Sequence, residues 1–191
     1  MRIDDYSQAL WQDRPRILGR LLQPFCIGHA MLLHRVKSPM LTGQHWTVVD
    51  LVLANEICSL PVPGARMFVE HGNTWWNRLR LRWRVFRAHL IGSDIMLHWY
   101  SFRTYLESAY KGPEFSVTRN SEDMIGTPLE VGLMQTLMRH LGMSIDQALA
   151  TPVHLAIWNA CALAEANGSI HLVSDEDDDL VNRAMALANK N

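Results

Sequence analysis

Apolar residues in this chain recur every three or four positions, in stretches that prolines, glycines and capping residues cut off after a few turns. That spacing builds amphipathic helices which must bury one face against each other, and it leaves little material for a sheet. Phe25–Val36 carries Phe25, Ile27, Ala30, Met31, Leu33 and His34 at helical spacing and closes on Ser38-Pro39. Trp46–Ser59 repeats the device with Trp46, Val49, Leu53 and Ile57 and stops at a hinge-like Pro61-Val62-Pro63-Gly64, so the two segments can pair. Ser93 or Asp94 suits the N-cap of a further helix over Ile95–Tyr110, which Lys111-Gly112-Pro113 ends. Strand signals are confined to Phe115–Thr118, Ile170–Val173 and Met67–Glu70. The expected fold is mainly α: a compact domain of about six to eight helices with short connections and little or no sheet.

Composition sets the outer bounds. With 191 residues, 48% of them apolar and 19% charged, the chain can enclose a hydrophobic core without disulfide or metal staples. Its apolar runs fall well short of the ~20 residues that a membrane span requires, so no membrane partner is expected. The opening Met-Arg-Ile-Asp-Asp lacks the features of a secretory signal. Cys26, Cys58 and Cys161 are an odd number with no Cys-x-x-Cys pair, which points to free thiols in a reducing cytosol.

The formal charge of −1 hides an asymmetry. Up to Asn120 there are 15 basic and 9 acidic residues, a balance of +6; from Ser121 there are 3 and 10, a balance of −7. The halves either satisfy one another or attract a charged partner. The composition also divides the chain into a basic, Trp- and Arg-rich helical part over 1–113, a polar connection over 114–126 and an acidic, well-capped helical part over 127–191, which together can form a single domain. The first 24 residues read as an arm on the body, helix-compatible only near Ser7–Gln12.

The acidic part is the best signposted. Thr127-Pro128-Leu129-Glu130 reads as N-cap, first-turn proline and capping-box glutamate, with a helix to about His140. Ser144 and Gln147 repeat the box before a short helix over Ile145–Ala150. Thr151-Pro152 starts another, with Leu155, Trp158, Ala162 and Leu163 on its buried face and Asn167-Gly168 as a left-handed stop. Finally Ser174 precedes Asp175–Asp179, and Leu180, Val181, Ala184, Met185 and Leu187 form an amphipathic stripe. Acids at such a helix start favour the macrodipole, which gives the run a structural task. It lacks the spacing of a calcium loop.

No catalytic constellation emerges. Gly-x-Ser-x-Gly, phosphate-loop and dinucleotide-binding motifs are absent, and Cys26-x-x-His29 with nearby His34 supplies too few ligands for zinc. No cofactor, metal or enzymatic activity is expected. The strongest local signal is Trp75–Arg87, where strand-like alternation competes with a longer helical stripe of Trp76, Leu79, Trp83, Phe86 and Leu90; the length favours helix. Trp75, Trp76, Arg78, Arg80, Arg82, Arg84 and Arg87 are the candidate partner-binding residues, because guanidinium groups among aromatics suit an acidic protein surface or phosphates and bases. The competing reading buries the stripe in the core and leaves the arginines solvated or paired with acids of the last third. A pI near 6.7 counts against a dedicated nucleic-acid binder.

The stretch Gly142-Met143-Ser144-Ile145-Asp146-Gln147-Ala148-Leu149-Ala150-Thr151-Pro152, with the helix that ends Ala164-Glu165-Ala166-Asn167-Gly168, resembles small helical proteins encoded among the tail genes of tailed bacteriophages, the tail assembly chaperones. Pro24–Leu33 with Ser38-Pro39 is similar to a segment of phage or prophage proteins. The resemblance covers about a quarter of the chain. It implies a non-enzymatic protein that binds tail components such as the tape-measure protein in the host cytoplasm, or else a structural place in the virion; a homo-oligomer is a separate open expectation. The basic, Trp-rich middle departs from the short members of that group, and a nucleic-acid-binding module built on Arg78–Arg87 is the alternative from a different class.

Overall fold

The structure, a computed structural model, describes residues 14–43, 45–71, 75–91, 94–113, 115–117, 128–168 and 170–172; between 75 and 91 the side chains described are those of Trp75, Leu79 and 81–90. Ser7–Gln12, Ser93, Thr127, most of the 114–126 connection and the acidic run with its amphipathic stripe lie outside them.

The described chain is mainly α-helical. It runs β1 (Arg16–Ile17), β2 (Arg20–Leu21), α1 (Ile27–Arg35), α2 (Pro39–Thr42), α3 (Val48–Ser59), α4 (Val62–Glu70), α5 (Trp75–Ile91), α6 (Ile95–Ala109), β3 (Phe115–Val117), α7 (Leu129–Leu141), α8 (Ile145–Ala150), α9 (Val153–Ala166) and β4 (Ile170–Leu172). The strands make two antiparallel pairs, β1 with β2 and β3 with β4, the latter in the register Phe115 to Leu172. β3 and β4 coincide with two of the predicted strand segments. The third, Met67–Glu70, belongs to helix α4 instead, and the preceding Pro-Val-Pro-Gly starts that helix. Pro61 stands at its N-cap and Pro63 in its first turn, where the missing amide hydrogens cost nothing. β1 and β2 turn back through Leu18 and Gly19, both at positive φ. The arm is anchored from there, with Ile17, Leu22 and Phe25 fully buried and the Tyr105 hydroxyl donating to the Gln23 carbonyl at 2.7 Å.

Helix limits follow local chemistry. Thr47 and Asp50 form a reciprocal capping box at α3, and Ser144 and Gln147 form the predicted one at α8. α7 stops at Gly142 and α9 just before Gly168, both left-handed. At α7 Glu130 is buried and accepts from the Tyr110 hydroxyl at 2.8 Å, and Pro128 holds the N-cap position; Thr127, the other half of the predicted box, lies outside the described residues.

α3 is enclosed over most of its length, with Leu51, Val52, Ala54, Asn55, Glu56, Ile57 and Cys58 buried. The predicted stripe was narrower and included Val49, which faces out. On α9 the buried residues are Val153, His154, Ala156, Trp158 and Cys161; Trp158 fits the predicted face, whereas Leu155 and Leu163 are half-buried and Ala162 is exposed. Both charge halves enter one core, in which Leu33, Ile57 and Phe102 stand with Leu137 and Val153. Backbone bonds stitch them together, Val153 N–H to the Phe25 carbonyl at 2.8 Å and Ile27 N–H to the Thr151 carbonyl at 3.0 Å.

Gly28 lies where α1 meets α4 and α8. A Cβ there would run into Val62 Cγ1 and lie 3.0 Å from the Leu149 carbonyl oxygen. Gly28→Ala is therefore expected to destabilise by about 1–3 kcal/mol in urea unfolding, the overpacking outweighing the ~1 kcal/mol that alanine gains in helix propensity.

A candidate protein-docking surface

The Trp75–Arg87 segment forms helix α5, but its aromatic stripe is not core. Trp75 is 61% exposed, Trp83 60% and Leu90 71%, with Leu79 and Phe86 about half exposed. This overturns the reading in which α5 buries that stripe. The helix rests on its opposite side, where Ala88 is buried and Leu81, Arg84 and Val85 are half-buried against α3. Two apolar sides thus share α5: a small one holds the helix down, and a larger, aromatic one faces out.

Of the fourteen large apolar side chains exposed among the described residues, eight lie between Trp75 and Tyr100, the last three being Met96, Leu97 and Tyr100 on α6. Exposure so concentrated on adjacent helices is the signature of an interaction surface, whereas single exposed apolar residues are ordinary. Covering the exposed part of each such side chain is worth about 1 kcal/mol at ~25 cal/mol per Å². Trp83 and Phe86 lie with ring centroids 5.7 Å apart. Beside them an apolar groove of about 450 Å³ is lined by Val49, Leu81, Val85 and Phe86, with Arg82 and His89 at its rim.

The candidate arginines separate by role. Arg84 pairs with buried Glu56, which Arg20 approaches at 3.4 Å. Partial burial, reinforced by the charge of Arg20, holds the Arg84 guanidinium down to about 10. Arg84 is thus an anchor of α5 on α3. Arg82 and Arg87 are exposed and make no ion pair among the described residues. Helical spacing sets them on opposite borders of the stripe. The side chains of Trp76, Arg78 and Arg80 lie outside the described residues. Residue-type reasoning singled out the arginines with Trp75 and Trp76; Leu79, Trp83, Phe86 and Leu90 entered only as a helical stripe.

Three front arginines pair with acids of the same part: Arg35 and Arg66 with Glu70, and Arg103 with Glu107. Across the halves, His34 approaches Glu130 at 3.5 Å.

The Cys26 and His29 neighbourhood has a structural use. His29 is buried, with Nε2 donating to the Leu60 carbonyl at 2.8 Å and Nδ1 accepting from the Cys26 amide at 3.3 Å. Both ring nitrogens are thereby occupied by backbone. Burial pushes the imidazole below its ordinary pKa, and the backbone at Leu60 and Pro24 offsets this only in part. Burial raises the Cys26 thiol to about 12 and Cys58 higher still, which suppresses thiolate chemistry. Among the described residues no three His, Cys, Asp or Glu side chains gather as a metal site, and no helix is long and apolar enough to cross a membrane.

A depressed histidine contributes stability that is complete above the unfolded-state pKa of ~6.5 and is lost as pH falls, because the unfolded chain takes the proton first. Between about pH 7.5 and about pH 5.5 the wild type is expected to lose about 1 kcal/mol more than His29→Gln, read from urea midpoints.

No family model matches the chain, and no curated protein or solved structure matches it.

Proposed function

We propose that this is a non-enzymatic protein of a tailed phage or prophage that acts in tail assembly, binding other tail chains through the exposed face of α5 in the manner of a chaperone. One observation carries the binding role: a Trp-, Phe- and Leu-lined stripe standing in solvent on a helix anchored through Glu56 and Arg84. Tryptophan and arginine are the residues that most often dominate protein interfaces. The assignment to tail assembly is supported by the resemblance of the sequence over 142–168 to tail-region proteins.

Co-expression with the tape-measure protein of the same genome tests the proposal. The two are expected to co-purify through size exclusion. A chain that leaves the tape-measure protein behind but is found in purified particles would instead be a virion component. Tight binding to DNA at ~50 mM salt that collapses at ~200 mM would favour the nucleic-acid alternative, through counterion release.

A further inference from the structure

Resting on the reading of α5 as a docking surface, we infer that its partner presents one acidic amphipathic helix, with apolar residues at heptad spacing and Glu or Asp on both flanks. On α5, Trp76, Leu79, Trp83, Phe86 and Leu90 stand 3, 4, 3 and 4 residues apart. These are the a and d positions of a heptad repeat, the seam that a second helix covers in a coiled coil. In that register Arg80 and Arg87 fall at e, and Arg82 and His89 at g. From Leu79 to Leu90 every described side chain at a, d, e or g is exposed. The half-buried or buried ones, Leu81, Arg84, Val85 and Ala88, all fall at b, c or f, on the side that rests on α3. A helix that only completed this core would turn its seam inwards.

Charge selects the partner. α5 carries five arginines and no acid. Arg84 is committed to Glu56, while Arg82 and Arg87, on the two borders of the seam, make no ion pair among the described residues. Residues at e and g meet the flanks of the facing helix. A second copy of α5 would set basic against basic whichever way it ran, which disfavours self-pairing. A helix with Glu or Asp in those places forms ion pairs along both borders while its apolar side covers the rings. The groove lined by Val49, Leu81, Val85 and Phe86 opens on the g border, with Arg82 and His89 at its rim, so that helix also meets an apolar wall from α3. Trp76 to Leu90 spans ~21 Å, which sets the length of the facing helix at about two heptads.

Fluorescence anisotropy tests this, with the full chain titrated into a labelled synthetic peptide of about three heptads that bears Leu at a and d, Glu at e and g, and Ala or Gln elsewhere. One control peptide has Lys in place of every Glu, and another has the composition of the Glu peptide in scrambled order. The Glu peptide is expected to bind at least about tenfold more tightly than either control. In Arg82→Glu with Arg87→Glu the preference is expected to pass to the Lys peptide, and Trp83→Glu with Phe86→Glu is expected to bind neither; thermal melts confirm that each variant folds. No binding of the Glu peptide up to about 100 µM overturns the inference. Equal binding of the scrambled peptide also overturns it, by reducing the contact to net charge, as does a preference that charge reversal on α5 leaves unchanged. A wild-type dimer that Trp83→Glu with Phe86→Glu returns to monomer overturns it too, by giving the seam to a second copy. Co-purification of the tape-measure protein is scored separately: a complex without Glu-peptide binding leaves the tail-binding proposal standing, and Glu-peptide binding without a complex leaves the helix inference standing.

Discussion

Trp83→Glu combined with Phe86→Glu is expected to weaken binding of the tape-measure protein at least about a hundredfold while the melting temperature moves by no more than about 2 °C. The two halves of that expectation have one cause. These rings are 60% and 53% exposed in the folded chain, so the fold loses little when they become polar. At an interface each would be buried, and truncating a central aromatic commonly costs about 2 kcal/mol or more, roughly thirtyfold. Two adjacent rings do not add fully, which is why about a hundredfold is the floor. Arg82→Ala and Arg87→Ala should behave differently, slowing association and flattening its salt dependence with a smaller change in affinity. Titration calorimetry at two salt concentrations separates the effects. Wild-type affinity in the double glutamate variant would put the contact elsewhere.

Glu56→Ala is expected to cost about 2–4 kcal/mol of stability, the largest effect of a single substitution considered. Glu56 is buried and receives both Arg84 and Arg20, and Arg20 is further fixed by the Ser59 hydroxyl at 2.8 Å. Removing the carboxylate leaves two cations facing one another in a partly buried site, and an uncompensated charge of that kind is more damaging than the pair was favourable. The figure stays below that of a fully enclosed pair because Arg84 retains 24% of its side-chain exposure. Glu56→Leu with Arg84→Met should recover part of the loss, since it removes one of the two cations together with the carboxylate while Arg20 stays. Denaturant unfolding of the wild type, Glu56→Leu, Arg84→Met and the double variant measures the coupling. α5 is the element that Arg84 ties down, so the single variant should also loosen the docking face.

The helical architecture was legible because its signals are local. The Ser144 and Gln147 box, Gly142 and Gly168 act within one turn, and each appears where its residues stand. Features that depend on distant partners were not legible. Glu130 accepts from the Tyr110 hydroxyl, twenty residues earlier in the chain, a contact that no local pattern announces. Met67–Glu70 has strand-forming residues, but Pro61 and Pro63 start a helix that carries through them. The stripe of α5 fell between these cases. Its periodicity gave the helix correctly; the side that faces the core carries Arg84, which reaches the buried acid Glu56 on α3. Periodicity does not contain that information, because both sides of α5 are apolar.

The central claim is that the outward face of α5 is where a protein partner binds. Amide hydrogen exchange on the chain with and without the co-expressed tape-measure protein addresses it most directly. Binding is predicted to slow exchange from Leu79 to Leu90 and at the start of α6, with little change in α7, α8 and α9. Protection confined to the capped helices of the last third, or a complex that leaves α5 exchanging as in the free chain, would contradict it.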